Sequence, residues 1–180
     1  MSVNGNVEGL KDSTTEELEN IYNLEVPQDR LWTEELIDKL SGLSGTINRE
    51  ISIYLDRKGR VTDVSVGDFK TVDLNEAEGR RSKTRLSGVR CIHTHPNGNG
   101  MLSAADISSM KLLRLDMIAA VGVAGGQPAE IYAAVPSPVS VGDIDTFGPY
   151  KANKEDFDAL LEYISEADDF LKEQADSLED

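Results

Sequence analysis

Apolar residues recur along this chain in two rhythms. Leu36, Ile37, Leu40 and Leu43 fall at the spacing that lines one face of an α-helix. Thr33, followed by the acidic pair Glu34 and Glu35, is placed to open that helix, and Gly42 and Gly45 are expected to end it. Further on, Ile51, Ile53 and Leu55 alternate with Ser52 and Tyr54, the period of a half-buried strand. Asp56-Arg57-Lys58-Gly59 reads as a turn and Val61 to Val66 as a second strand, which together predict a β-hairpin. Val89 to His95 predicts another strand, stopped by Pro96 and the Asn97-Gly98 turn signal. Ser103 then caps a helix whose apolar positions are Ile107, Met110, Leu113 and Leu112. Met117 to Val123 and Glu130 to Val135 are the next two strands.

The ends of the chain are less regular. Residues 1–12 are polar and aperiodic, which predicts a frayed, disordered tail. Thr14 or Thr15 is expected to cap a short helix through Tyr22, and Pro27 with Asp29 to mark a turn. Pro136 to Pro149 forms a long connection punctuated by proline and glycine. Asn153 is expected to open a last helix in which Phe157, Leu161, Ile164, Leu171, Ala175 and Leu178 keep heptad spacing, interrupted by Asp168. Such a helix either packs on its own domain or connects it to something beyond. The sum is an α/β fold, a central mixed sheet flanked by helices, in one domain over 13–150 with an acidic C-terminal helix over 151–180.

Composition narrows the function. At 180 residues one domain with a sizeable core is expected. The longest apolar stretch, Met117 to Gly126, is too short and too glycine-rich to cross a bilayer, and the N-terminus lacks the basic start and apolar run of a secretory signal. Cys91 is the only cysteine, so neither an intramolecular disulfide nor a cysteine-rich zinc cage is available, and the cytoplasm is the expected compartment. A net charge of −15 argues against general nucleic-acid affinity. Charge is unevenly placed, however: the C-terminal stretch is strongly acidic, whereas Arg80, Arg81, Lys83, Arg85 and Arg90 crowd one short segment. That cluster is either a solvated basic loop or a contact for an anionic partner such as RNA.

The chemistry concentrates between residues 93 and 106. The chain has two histidines, His93 and His95, and on a strand that spacing turns both imidazoles to one face. Asp106, one helical turn past Ser103, would add a carboxylate if the Asn97 to Leu102 loop folds back. Two histidines and one carboxylate leave an open position, as catalytic zinc sites do. Each part also has an ordinary explanation. Ser103 to Asp106 is a capping-box variant that needs no metal, and either histidine alone could be a plain strand residue. For hydrolysis a metal-activated water needs a base, and Glu50, at the head of the Ile51 to Leu55 strand and on the face opposite those residues, is the candidate. It could equally be an exposed strand-end carboxylate, with Glu76 and Glu78 as rivals in the basic segment. Ser103 is placed to donate a hydrogen bond to a developing oxyanion.

Glu50, His93, His95, Pro96, Ser103 and Asp106 resemble the JAMM (MPN-plus) metalloprotease motif, an upstream glutamate followed by H-x-H-P-x6-S-x2-D, which the RadC proteins share. Over roughly Ile47 to Val135 the resemblance implies a zinc-dependent peptidase or isopeptidase on a cytidine-deaminase-like α/β sandwich. A closer likeness is to the N-terminal extension of some bacterial HflX-type GTPases. It is carried by Asn48 to Ile51, Arg60 to Asp68, Gly79 to Ser82, Arg85 to Gly88 and Cys91 to Gly98. That resemblance implies a domain preceding the nucleotide-binding domains of a ribosome-associated protein, and so also the alternative of a non-catalytic, metal-stabilised accessory domain whose Arg80 to Arg90 segment touches RNA. No G-x-x-x-x-G-K-[ST] loop occurs here, so GTP hydrolysis by these residues is not expected. Asn153-Lys154-Glu155-Asp156 matches the N-K-x-D guanine-reading pattern, and without a phosphate loop is read instead as a helix N-cap followed by acids.

Overall fold

The structure is a computed structural model that describes residues 1–67, 87–135 and, for the backbone, 151–156. Among these, seven strands form one mixed sheet in the order β1-β3-β2-β4-β5-β6-β7. They are β1 (Asn4–Gly5), β2 (Ile51–Leu55), β3 (Val61–Val66), β4 (Arg90–His95), β5 (Met117–Ala124), β6 (Gln127–Val135) and β7 (Lys151–Asp156). Helices α1 (Asp12–Asn20), α2 (Glu34–Ile47) and α3 (Ala104–Leu113) accompany the sheet, with a 3-10 turn at Ile21–Asn23. The expected hairpin is β2 and β3, antiparallel with Ile53 opposite Val64. β2 also runs antiparallel to β4, whereas β4 and β5 are parallel.

Alternation along the strands feeds two cores. Ile51, Ile53, Leu55, Ile92, Ala119 and Val121 pack with Leu36, Ile37 and Leu40 of α2 and Leu18 of α1. Tyr54, Cys91 and Ile118 point the other way, where Ile107 and Met110 of α3 cover them. The sheet is therefore sandwiched between α1 and α2 on one side and α3 on the other, and His93 and His95, in phase with Cys91, share the α3 side. No helix among the described residues is long and apolar enough to cross a membrane.

Several expectations give way to tertiary contacts. Residues 1–12 are not a frayed tail: Asn4 and Gly5 pair in parallel with Ser65 and Val66, and the Arg49 guanidinium donates to the carbonyls of Asn6 and Glu8, both at 2.9 Å. These partners lie far along the chain, so no local pattern announces them. Helix α1 begins at Asp12, and the Thr15 hydroxyl donates back to the Lys11 carbonyl at 3.3 Å rather than capping a later start. Thr33 does cap α2, accepting from the Leu36 amide at 3.2 Å, but the helix runs through Gly42 and Gly45 to Ile47 and ends at Asn48 in the left-handed conformation. Asn153 opens no helix: Lys151–Asp156 is a strand parallel to β6, where the exposed donors and acceptors of the β6 edge outweigh local helix signals. The connection over 136–150 and the heptad positions from Phe157 onward lie outside the described residues.

Gly45 is needed by close approach. A β-carbon there would sit 2.6 Å from the Gly126 α-carbon in the β5–β6 turn, whereas one at Gly42 would meet nothing within 4 Å. Two substitutions in one helix should therefore have opposite signs. Gly42→Ala should stabilise by about 0.5–1 kcal/mol through helix propensity, and Gly45→Ala should destabilise by about 1–3 kcal/mol through overpacking. Urea unfolding midpoints of the two variants check this.

Candidate metal centre

His93 and His95 stand at the C-terminal end of β4, where the neighbouring strand carries small residues. In register, His93 lies beside Ala120 and His95 beside Gly122, which leaves room above β5 for the imidazoles and for the loop that follows. That loop does fold back. A β-carbon on Gly122 would come 2.4 Å from the Gly98 oxygen and 2.6 Å from the Gly100 nitrogen, so residues 98–100 lie directly on the β5 backbone. Gly98 makes the turn at φ +81°, a conformation glycine adopts without strain. The chain then enters α3 at Ser103.

At that entry the capping box forms in both directions. The Asp106 amide donates to the Ser103 hydroxyl oxygen at 3.1 Å, and the Ser103 amide donates to Asp106 Oδ2 at 2.7 Å. The cap and the metal reading are compatible, because the other carboxylate oxygen is turned inward: Asp106 Oδ1 lies 3.1 Å from His93 Nε2. His93 Nε2 is 3.0 Å from His95 Nε2, and His95 Nε2 is 3.6 Å from Asp106 Oδ2. His93 is 1% and Asp106 3% exposed, while His95 is partly open to solvent.

The chemistry of this donor set fits a metal ion. His95 Nδ1 lies 2.8 Å from the Asn99 carbonyl. A carbonyl only accepts, so Nδ1 carries the hydrogen and the neutral ring turns the lone pair of Nε2 toward His93 and Asp106. Lone pairs facing one another across 3.0–3.6 Å need a proton or a cation between them. Zinc–nitrogen bonds of about 2.0–2.1 Å set the edge of a tetrahedral site at about 3.3 Å, close to the spacing seen. Among the described residues, His93, His95 and Asp106 form a group that could hold a metal ion, with ligand atoms within 4.8 Å of one another.

Glu50 is not in that group. It immediately precedes β2, whose last pairing with β4 on this side is Ser52 with His93. Extending that register by two residues beyond the Ser52–His93 pair would set Glu50 at the row of His95. Its backbone is held on both sides. The Ile51 amide donates to the Thr94 hydroxyl oxygen at 2.9 Å, Thr94 donates to Ser44 Oγ at 2.8 Å, and Ser44 donates to the Arg49 carbonyl at 2.8 Å. Gly67 donates its amide to the Glu50 carbonyl at 2.8 Å. Sequence reasoning passed over Ser44 and Thr94, although a hydroxyl between two histidines was a visible signal. Ser103, at the mouth of the site, is exposed.

Arg90 is not an anion or RNA contact. It is 8% exposed, with its guanidinium donating to the carbonyls of Arg30 at 2.7 Å and Leu31 at 3.4 Å. Position on β4 turns it into the α2-side core, where its charge ties an irregular segment to the sheet. Burial lowers its pKa, and the nearby Asp116 and Asp56 only partly oppose this. Arg80, Arg81, Lys83 and Arg85 lie outside the described residues, as do Glu76 and Glu78. Burial also pushes the Cys91 thiol up, which leaves it a packing residue rather than a nucleophile.

Comparison with known protein families, with characterised proteins and with solved structures finds no match. The geometry therefore carries the functional argument by itself.

Asp106 also sets an acid limit on this centre. Burial raises its carboxyl pKa, but the hydrogen bond and charge of His93 and the hydrogen bonds of Ser103 outweigh it, leaving the pKa below the usual 3.8. A carboxyl held lower in the folded state than in the unfolded one stabilises the fold above the unfolded value and loses that contribution as pH falls through the folded one. The stability advantage of metal-free wild type over Asp106→Asn should therefore be full above about pH 4 and shrink as the solution is acidified below 3.8. Denaturation of both proteins across pH 2–6 measures it.

Proposed function

We propose that this chain is a zinc-dependent hydrolase of an amide or isopeptide bond, a JAMM/MPN-like domain of the kind that precedes the GTP-binding domains of HflX-type proteins. The observation that carries the reading is the convergence of His93 Nε2, His95 Nε2 and the two oxygens of the Asp106 carboxylate, with contacts of 3.0–3.6 Å, beside an exposed serine at a helix N-terminus. Two nitrogens and one oxygen suit zinc better than magnesium or calcium, which prefer all-oxygen shells. Three protein ligands also leave a fourth position for substrate or solvent.

His93, His95 and Asp106 would hold the ion. Bound zinc supplies a Lewis acid that polarises a carbonyl and brings the ionisation of water toward a pKa of about 7. Glu50, immediately before β2, takes the proton from the attacking water and passes it to the departing amine. Ser103 Oγ accepts from the Asp106 amide, an arrangement that leaves its hydroxyl hydrogen for the substrate oxyanion. The N-terminal end of α3 adds a favourable dipole there. A peptide or protein is the expected substrate class.

Two measurements test this. Metal analysis of the purified protein should find about one zinc per chain, abolished when His93 and His95 are both changed to Ala. In a peptide-library digestion, Glu50→Gln should lower the rate by about 10²- to 10⁴-fold, the usual contribution of a general base, with zinc content unchanged. Equal digestion by the two proteins would remove Glu50 from the mechanism and leave the ion a structural or accessory role.

A further inference from the structure

Three residues on adjacent strands share one row of the sheet. His95 on β4 is in register with Gly122 on β5, and Gly122 with Glu130 on β6. Because Gly122 has no side chain, the gap between the imidazole and the carboxylate is filled by the returning loop. One peptide unit of that loop spans it. The Asn99 carbonyl accepts from His95 Nδ1 at 2.8 Å, and the Gly100 amide, the other end of the same unit, donates to Glu130 Oε1 at 2.8 Å. Gly100 cannot carry a side chain here, since a β-carbon would lie 2.7 Å from the Glu130 carbonyl oxygen. Two short turns fix the orientation of the unit: Asn97 Oδ1 accepts from the Asn99 amide at 3.1 Å, and Asn99 Oδ1 accepts from the Met101 amide at 2.9 Å.

We propose that Glu130 is a positioning residue for the metal centre, acting on His95 through the Asn99–Gly100 peptide. This rests on the metal reading of His93, His95 and Asp106. Metal-bound histidines commonly donate their second ring N–H to a carboxylate or a carbonyl, which fixes the tautomer and raises the basicity of the ligating nitrogen. Here the two devices are in series. A carboxylate on the amide end of a peptide polarises it and makes its carbonyl a stronger acceptor. The stronger acceptor holds the proton on Nδ1 and keeps the lone pair of Nε2 directed at the ion. Gly122 is the structural condition for the relay, because any side chain there would displace the peptide.

The test uses zinc alone, titrated in competition with a chromophoric chelator, on wild type, Glu130→Gln and Glu130→Ala. Glutamine keeps an acceptor oxygen for the Gly100 amide but removes the charge; alanine removes both. Zinc affinity should fall about tenfold in Glu130→Gln and toward about a hundredfold in Glu130→Ala, the range of such outer partners. A role limited to holding the loop would instead be rescued by glutamine. A second readout needs no metal: imidazole nitrogen chemical shifts in the metal-free protein should show His95 in the Nδ1–H form in wild type and a growing share of the Nε2–H form in Glu130→Ala. Glu130 is half-buried at the sheet surface, so both variants should unfold in urea near the wild-type midpoint. Zinc affinity within about twofold of wild type in both variants, with unchanged His95 shifts, would overturn the proposal. Wild type that binds no zinc would overturn the metal reading instead, and the His95 shifts would still decide whether Glu130 controls the tautomer.

Discussion

A nearly solvent-free carboxylate facing two imidazoles is the constraint around which this fold is organised. Asp106 is 3% exposed and its Oδ1 stands 3.1 Å from His93 Nε2. Burying a carboxylate is costly unless its charge and its lone pairs are all answered. The answer comes from two directions, the Ser103 amide and His95 on Oδ2 and His93 on Oδ1. Bringing these together requires a strand end, a loop that reverses over glycine 122 and a helix that starts at the right residue. Much of the α3 side of the sheet can be understood as the means of meeting that requirement.

The same constraint explains why small residues cluster where they do. Ala120 and Gly122 lie beside the two histidines, Gly98 turns the loop and Gly100 passes under Glu130. Gly122 and Gly100 leave out side chains where backbone lies, and Gly98 supplies a positive φ. On the opposite side of the sheet, the hydroxyls of Ser44 and Thr94 bridge α2, β4 and the start of β2 within the core. Their bonds fix the backbone that flanks Glu50, so the α2-side core sets the position of the candidate base.

Much of this was legible in the sequence, for reasons that differ by element. β2 and β3 fall on the expected residues because alternation of apolar and polar positions and the Asp56 to Gly59 turn are local signals. The grouping of His93, His95 and Asp106 was legible because the two histidines at alternate strand positions must share a face, and because a capping box fixes Asp106 relative to Ser103. What escaped notice depends on distant partners. Nothing near Asn4 reveals Ser65, and helix signals at Asn153 yield to the open edge of β6. Gly45 carries a helix-end signal, yet α2 runs on to Ile47 and the glycine answers to the Gly126 backbone against it. Arg90 looked like one more cation of a basic segment until its position on β4 placed it among the carbonyls of Arg30 and Leu31. Glu130 carries no motif at all, and its connection to His95 exists only through register across three strands.

The central claim is that two imidazoles and one carboxylate share a single ion. Diffraction from crystals grown with zinc, recorded on both sides of the zinc absorption edge, measures this directly. The account predicts one anomalous peak at bonding distance, about 2.0–2.2 Å, from Nε2 of both His93 and His95 and from an Asp106 carboxylate oxygen. A folded protein whose anomalous density lies elsewhere, or that shows none with His93, His95 and Asp106 still in contact, would contradict it.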